Sequence, residues 1–231
     1  MKISTSLILV SLVCTVASSG AATLLAWDFG TSNGNDITRS ATTVDALMSA
    51  ATLSRGSDIT PTNVTFNMGT GAFATDAGNN RADLASAMAN GAFTTFNASP
   101  VAGNRMSLDS ISVVTFTQNP SAIKFEVVFS QNNFATFTSA GIVSPVTANW
   151  TGGQNTFPLT GFAALQNTTL PTSFRIAMYG GGSFEQRGLG QTAGANNDIT
   201  LLGTVSPVPE AGTVTLLAGL MAMGLLRRKR R

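Results

Sequence analysis

Acid–base chemistry in this chain has to rest on carboxylates, because its 231 residues include no histidine. Glu126 and Glu185 lie in the central region, Glu210 lies near the C-terminus, and the aspartates are scattered between Asp28 and Asp198. A glycosidase needs two carboxyl groups flanking the scissile bond. No Glu-x-Asp-x-Glu pattern or similar grouping on one strand occurs here. Without histidine there is no Ser-His-Asp or Cys-His arrangement, no imidazole base and no His-bearing zinc site. The one cysteine, Cys14, sits inside an N-terminal apolar run. The rest of the chain therefore has no thiolate nucleophile and no iron–sulfur ligand. These residues predict no catalysis, and carboxylate chemistry of glycosidase type is the enzymatic alternative.

Binding needs neither acid nor base, and aromatic side chains stack well on flat apolar faces such as sugar rings. Trp27 shares one parity with Leu25 and Phe29 in "LLAWDFG", which favours a buried face. Trp150 lies in the turn-rich "TANWTGGQN", and Tyr179 ends a strand before "GGGS", where its hydroxyl would reach a rim. Trp150 and Tyr179 are therefore the candidate glycan contacts. Asp28, Asp36 and Asp198, beside Asn33, Asn35, Asn196 and Asn197, are the hard oxygen ligands that a structural calcium ion would need. Their spacing matches no calcium loop, so plain turns at "TSNGND" and "ANND" are favoured and no cofactor is expected. Neither "YGGGS" nor "RGLGQTAGANN" opens a helix after a strand, so both read as loops and not as phosphate cradles.

The elements that must position these residues read as all-β. Short β-branched and aromatic runs alternate with Gly, Asn, Pro and Ser clusters. In "AIKFEVVFSQ", Ile123, Phe125, Val127 and Phe129 alternate with Lys124, Glu126, Val128 and Ser130. That is the pattern of a strand with one face on a core and the other mostly in water. "MSLDSISVVTFT" precedes it across "QNPSA", which predicts an antiparallel pair. "TLLAWDFG" should open a sheet, "GAFTTFNAS" and "SFRIAMYG" should add strands, and "NDITLLGTV" should close the domain. "NRADLASAMANG" predicts one short helix from about Arg81 to Ala89, capped by Asn80, stopped by Asn90-Gly91, and covering an end or edge. The expected fold is an antiparallel β-sandwich of jelly-roll type with one short helix, formed by residues 23–206.

Both ends of the chain carry apolar segments. Lys2, the run Leu7 to Val16 and the small residues "ASSGAA" have the layout of a secretory signal peptide over residues 1–22, with cleavage expected after Ala22. At the other end, Ala211 to Leu226 is uncharged and spans about 24 Å as a helix. It can cross a thinned bilayer with its flanking arginines snorkelling. Arg227, Arg228, Lys229, Arg230 and Arg231 follow it and would stay cytoplasmic.

Those terminal residues make the chain look basic. Between Thr23 and Glu210 there are seven basic residues against eleven acidic, a net charge of −4. The seven are scattered singly, which excludes a phosphate-binding face and predicts no nucleic-acid partner.

The order Val208, Pro209, Glu210, then an apolar helix, then an Arg/Lys cluster resembles the PEP-CTERM sorting signal of bacterial exported proteins. The tail, residues 207–231, departs from the family at Ala211, where a second proline is usual. The resemblance implies processing by an exosortase-type membrane enzyme, transient residence in the membrane, and a destination at the cell surface or extracellular matrix, with exopolysaccharide as a frequent partner. The same segment is also labelled an ice-binding protein C-terminal domain, although this chain has no regular Thr-x-Thr ladder. Together the readings imply an exported, non-enzymatic structural or interaction protein, with an exopolysaccharide-binding sandwich as the alternative.

Overall fold

The computed structural model describes residues 20–30, 32, 34–59, 72–76, 81–117, 123–144, 153–181, 187–190 and 197–209. The expected signal segment, Glu210 and the expected membrane-crossing helix lie outside these residues. Among the described residues no helix is long and apolar enough to cross a membrane.

Two sheets contain the described strands. The larger holds β1 (Ala22–Trp27), β3 (Thr43–Val44), β5 (Ala72–Asp76), β7 (Asn104–Thr117), β10 (Gly153–Pro158), β12 (Arg187–Gly190) and β13 (Ile199–Pro207). The other is ordered β2 (Thr38–Ser40), β4 (Thr52–Arg55), β6 (Phe93–Ala98), β11 (Thr172–Gly180), β8 (Ile123–Ser130) and β9 (Thr138–Val143). The strand pairings in both are antiparallel. Most connections cross from one sheet to the other, so the chain laces the two layers together.

Aromatic rings fill the space between the layers. Trp27 of the larger sheet lies 4.7 Å, centroid to centroid, from Phe96 of the smaller, and Phe96 stacks on Phe174 at 5.1 Å. All three are buried, as are Phe125, Val127 and Phe129 on β8 and Ile111 and Val113 on β7. Each such side chain contributes about 1.5–3 kcal/mol by leaving water, so a core of this extent holds the layers together without disulfides.

Three expectations need correction. β7 and β8 are not a pair: β7 lies in the larger sheet against β13, β10 and β12, and β8 lies in the smaller between β11 and β9. A short turn signal cannot distinguish a hairpin from a crossing between layers, because both reverse the chain. The segment "RGLG" is not a loop but β12, with all four residues buried. Its glycines sit in a strand because β12 is paired on both sides, with β7 and β5, a long-range arrangement that local sequence does not carry.

The helix is the third correction. Helix α1 spans Leu84–Asn90 and is capped by Asp83, whose carboxylate accepts from Ser86 N at 2.8 Å while Asp83 N donates to Ser86 Oγ at 3.2 Å. This reciprocal capping box fixes the start after the expected Arg81. Gly91, at φ 88°, ends the helix in the left-handed region, where a glycine carries no side-chain penalty. Ala87 is the buried helix residue, and α1 lies on the face of β11, not on an end of the sandwich.

Candidate functional site

The outward face of the smaller sheet carries Glu126, Arg175 and Tyr179, three polar side chains in unusual surroundings. Cross-strand register sets Thr95, Arg175, Val128 and Ser139 in one row across β6, β11, β8 and β9. Phe93, Ala177, Glu126 and Ile142 form the adjacent row. The sequence predicts water over the Glu126 face of β8, yet Glu126, Val128 and Ser130 are all buried. Alternation records which residues are polar, not whether another layer lies on them. On this face α1 packs against β11, and the turn after β8 lays Phe134 on Arg175 and bonds to Ser130.

At one end of this face Tyr179 Oη donates to Glu126 Oε2 at 2.6 Å, and both residues are buried. Register places Tyr179 opposite Lys124, diagonal to Glu126, within reach of a long side chain. Burial, then the bond to Glu126, pushes the phenol well above its ordinary range. Ala87, Ala92, Phe93 and Ala177 pack around it. The hydroxyl expected at a rim is thus covered by α1 and engaged with a carboxylate.

At the centre the Arg175 guanidinium lies between two rings, 4.0 Å from the Phe93 centroid and 3.8 Å from that of Phe134. Each contact of this kind contributes about 0.5–2 kcal/mol. Phe134 reaches Arg175 from the turn Asn132–Ala135, closed by Ala135 N donating to Asn132 O at 3.2 Å. Both central residues have positive φ, 60° at Asn133 and 62° at Phe134. Asparagine tolerates this conformation, whereas a bulky aromatic there carries strain of about 1–3 kcal/mol. Ser130 Oγ accepts from Phe134 N at 3.0 Å, and Asn132 Oδ1 accepts from Thr136 N at 3.1 Å, bonds that hold the turn in place.

Arg175 Nε is sealed from solvent without a hydrogen-bond partner among the described residues. Nη1 and Nη2 are not among the sealed atoms, and they too have no acceptor among the described residues. Burial pushes the guanidinium pKa down from its ordinary value. The two other unpartnered buried atoms among the described residues, Arg55 Nη1 and Thr94 Oγ1, belong to residues directly opposed across β4 and β6.

The remaining candidates lie elsewhere. Trp150 and Glu185 lie outside the described residues, and Trp27 is fully buried with Nε1 donating to Arg39 O at 3.1 Å. The three calcium candidates have protein partners. Asp28 Oδ1 accepts from Gly30 N at 2.8 Å, Asp36 Oδ2 pairs with Arg39 Nη1 at 3.2 Å, and Asp198 Oδ2 accepts from Phe29 N at 2.7 Å. Among the described residues no group of three or more His, Cys, Asp or Glu could hold a metal ion.

Ala22 and Val208 are close to one pole. Ala22 opposes Gly203 in the β1–β13 register, and Val208 N donates to Gly103 O at 2.8 Å just beyond the end of β13. Both residues are exposed, as is Pro209.

No known protein family profile matches the chain. No curated protein matches it either. Among solved structures it is similar to TmCBM61 in complex with beta-1,4-galactotriose, at 10% sequence identity and a TM-score of 0.33, over 74% of this chain and 92% of that one.

The sequence did not single out Arg175 or Phe134. The readable signal was "SQNNFAT", an Asn-Asn pair followed by an aromatic, which places a ring where turn chemistry favours small polar residues.

Proposed function

We propose that this chain is an exported, non-catalytic structural or interaction protein of the cell surface or extracellular matrix, placed there by its C-terminal segment. The carrying observation is the antiparallel pairing of β1 with β13, the first strand with the last. It brings the expected cleavage point at Ala22 and the departure of the tail at Val208 to one pole of the sandwich. Pro209 and Glu210 alone separate Val208 from the uncharged run beginning at Ala211. Two extended residues reach about 7 Å. A body tethered this way would keep that pole against the bilayer and turn the opposite pole outward. In this reading residues 1–22 are the signal peptide, 23–206 a sandwich of jelly-roll type, and 207–231 a PEP-CTERM-like sorting segment handled by an exosortase-type enzyme.

The absence of catalysis in this reading has support in the use of Glu126. Its carboxylate is buried against Tyr179, not presented to a substrate. Surface labelling of intact cells with a membrane-impermeant protease tests the proposal. Digestion of the body is expected, and a protease-resistant pool in the cytoplasm overturns it.

A second reading, exopolysaccharide binding by the sandwich, is favoured by the Phe93–Arg175–Phe134 stack. A strained aromatic held over a cation with no acidic partner is costly to maintain for packing alone.

A further inference from the structure

We propose that Arg175 binds the carboxylate of a uronic-acid-bearing polysaccharide at the outward face of the smaller sheet. The inference rests on the polysaccharide-binding reading and names its chemistry. Both faces of the guanidinium are covered, by Phe93 at 4.0 Å and Phe134 at 3.8 Å. Nε is sealed. Nη1 and Nη2 are not among the sealed atoms, and the N–H groups of a guanidinium lie in one plane. A planar acceptor meets such a fork with two parallel hydrogen bonds, and a carboxylate fits it in shape and charge.

The rings also prevent the arginine from swinging away, so its orientation is fixed before a ligand arrives and less entropy is lost on binding. The turn supplying Phe134 is held in the left-handed region at 60° and 62° by Ser130 and Asn132. A relaxed turn would leave one face of the guanidinium bare.

The surroundings suit a sugar better than an acidic peptide. Ser139 shares the Arg175 row and offers an exposed hydroxyl, and Thr95 in the same row, whose hydroxyl donates to Phe174 O at 2.9 Å, can still accept. Ile142, 51% exposed, stands on β9 in the adjacent row and adds apolar surface to this face for the C–H faces of a pyranose ring. Lys124 is the other basic residue on this face among the described residues, too few for a densely charged peptide.

The test measures binding of polygalacturonate, its methyl-esterified form and poly-L-glutamate to the full chain in detergent micelles. Because the terminal cluster attracts any polyanion, Arg227, Arg228, Lys229, Arg230 and Arg231 are replaced by serine in every sample. The expected result is binding to polygalacturonate, weaker by about tenfold for the ester and for polyglutamate, and weaker by about tenfold in Arg175→Gln and Arg175→Lys. The ester comparison uses the unaltered body and so stands even where a variant misfolds. Equal binding of acid and ester, or full binding by Arg175→Gln, overturns the carboxylate assignment and leaves the polysaccharide reading standing. Binding to neither polysaccharide overturns both. Polyglutamate bound as tightly as polygalacturonate overturns the polysaccharide assignment in favour of an acidic peptide.

Discussion

Asp198 and Phe29 join the two ends of the domain: the buried Asp198 carboxylate accepts the Phe29 amide at 2.7 Å across 169 residues of sequence. The bond continues the β1–β13 ladder beyond its last register pair, Trp27 with Ile199, and Asp198 N donates to Trp27 O at 2.7 Å alongside it. Removing the carboxylate orphans a buried amide. Asp198→Ala should therefore cost about 1–3 kcal/mol, and Asp198→Asn, which keeps an acceptor, should cost less. Denaturant midpoints of the three proteins check the order.

Tyr179 is the chain's one tyrosine, so its ionisation can be followed without overlap from another phenol. Burial and the Glu126 bond raise its folded-state value above the unfolded one, near 10. A raised value gives stability that is complete below about pH 10 and is lost as pH climbs through that value toward the folded one. Native protein should show no tyrosinate absorbance as pH passes about 10, where denatured protein does, and the denaturant midpoint should fall above that pH.

Phe134 carries two opposing effects, a favourable ring contact with Arg175 and an unfavourable φ of 62°. Alanine loses the contact and keeps the strain, whereas glycine loses the contact and the strain together. Phe134→Gly should thus be more stable than Phe134→Ala by about 1 kcal/mol, as read from thermal or chemical unfolding.

Gly203 lies at the bulge where β13 shifts register against β7. A Cβ there would meet Ser107 O at 2.2 Å and Leu24 Cδ1 at 3.0 Å, whereas one at Gly153 would meet nothing within 4 Å. Gly203→Ala should lower stability by about 2–4 kcal/mol, because backbone has to move, and Gly153→Ala should leave it within about 0.5 kcal/mol.

Much of the fold was legible in the sequence because it is written in local pattern. The strands around Trp27, Phe125, Phe174 and Leu201 follow from alternation, and the helix stop at Gly91 from its glycine. The pairing of β7 and β8 was not legible, since a turn reads the same whether it stays in one sheet or changes layer. Nor was the burial of Glu126 and Val128, because alternation does not report what packs on the outward face, and the partner of Glu126 is Tyr179, 53 positions away.

The candidate site was less legible still. Trp150 and Tyr179 were picked out by residue type. Tyr179 proves to be packed beneath a helix, and the cation of interest is the half-buried Arg175, whose neighbours Phe93 and Phe134 are 82 and 41 positions away. Asp28, Asp36 and Asp198 were weighed as calcium ligands against plain turns; in the fold Asp28 closes a turn, Asp198 a strand end, and Asp36 pairs with Arg39.

The claim that the chain is an exported surface protein placed by its tail is tested most directly by where the Pro209→Ala, Glu210→Ala double variant of the full chain goes in its native host. Both residues lie beyond β13, so folding of the body should be unchanged, with an unfolding midpoint equal to that of the unaltered protein. The account predicts a folded body retained in the membrane fraction and depleted from the cell surface and medium. Unchanged distribution of the variant between membrane, surface and medium would contradict it.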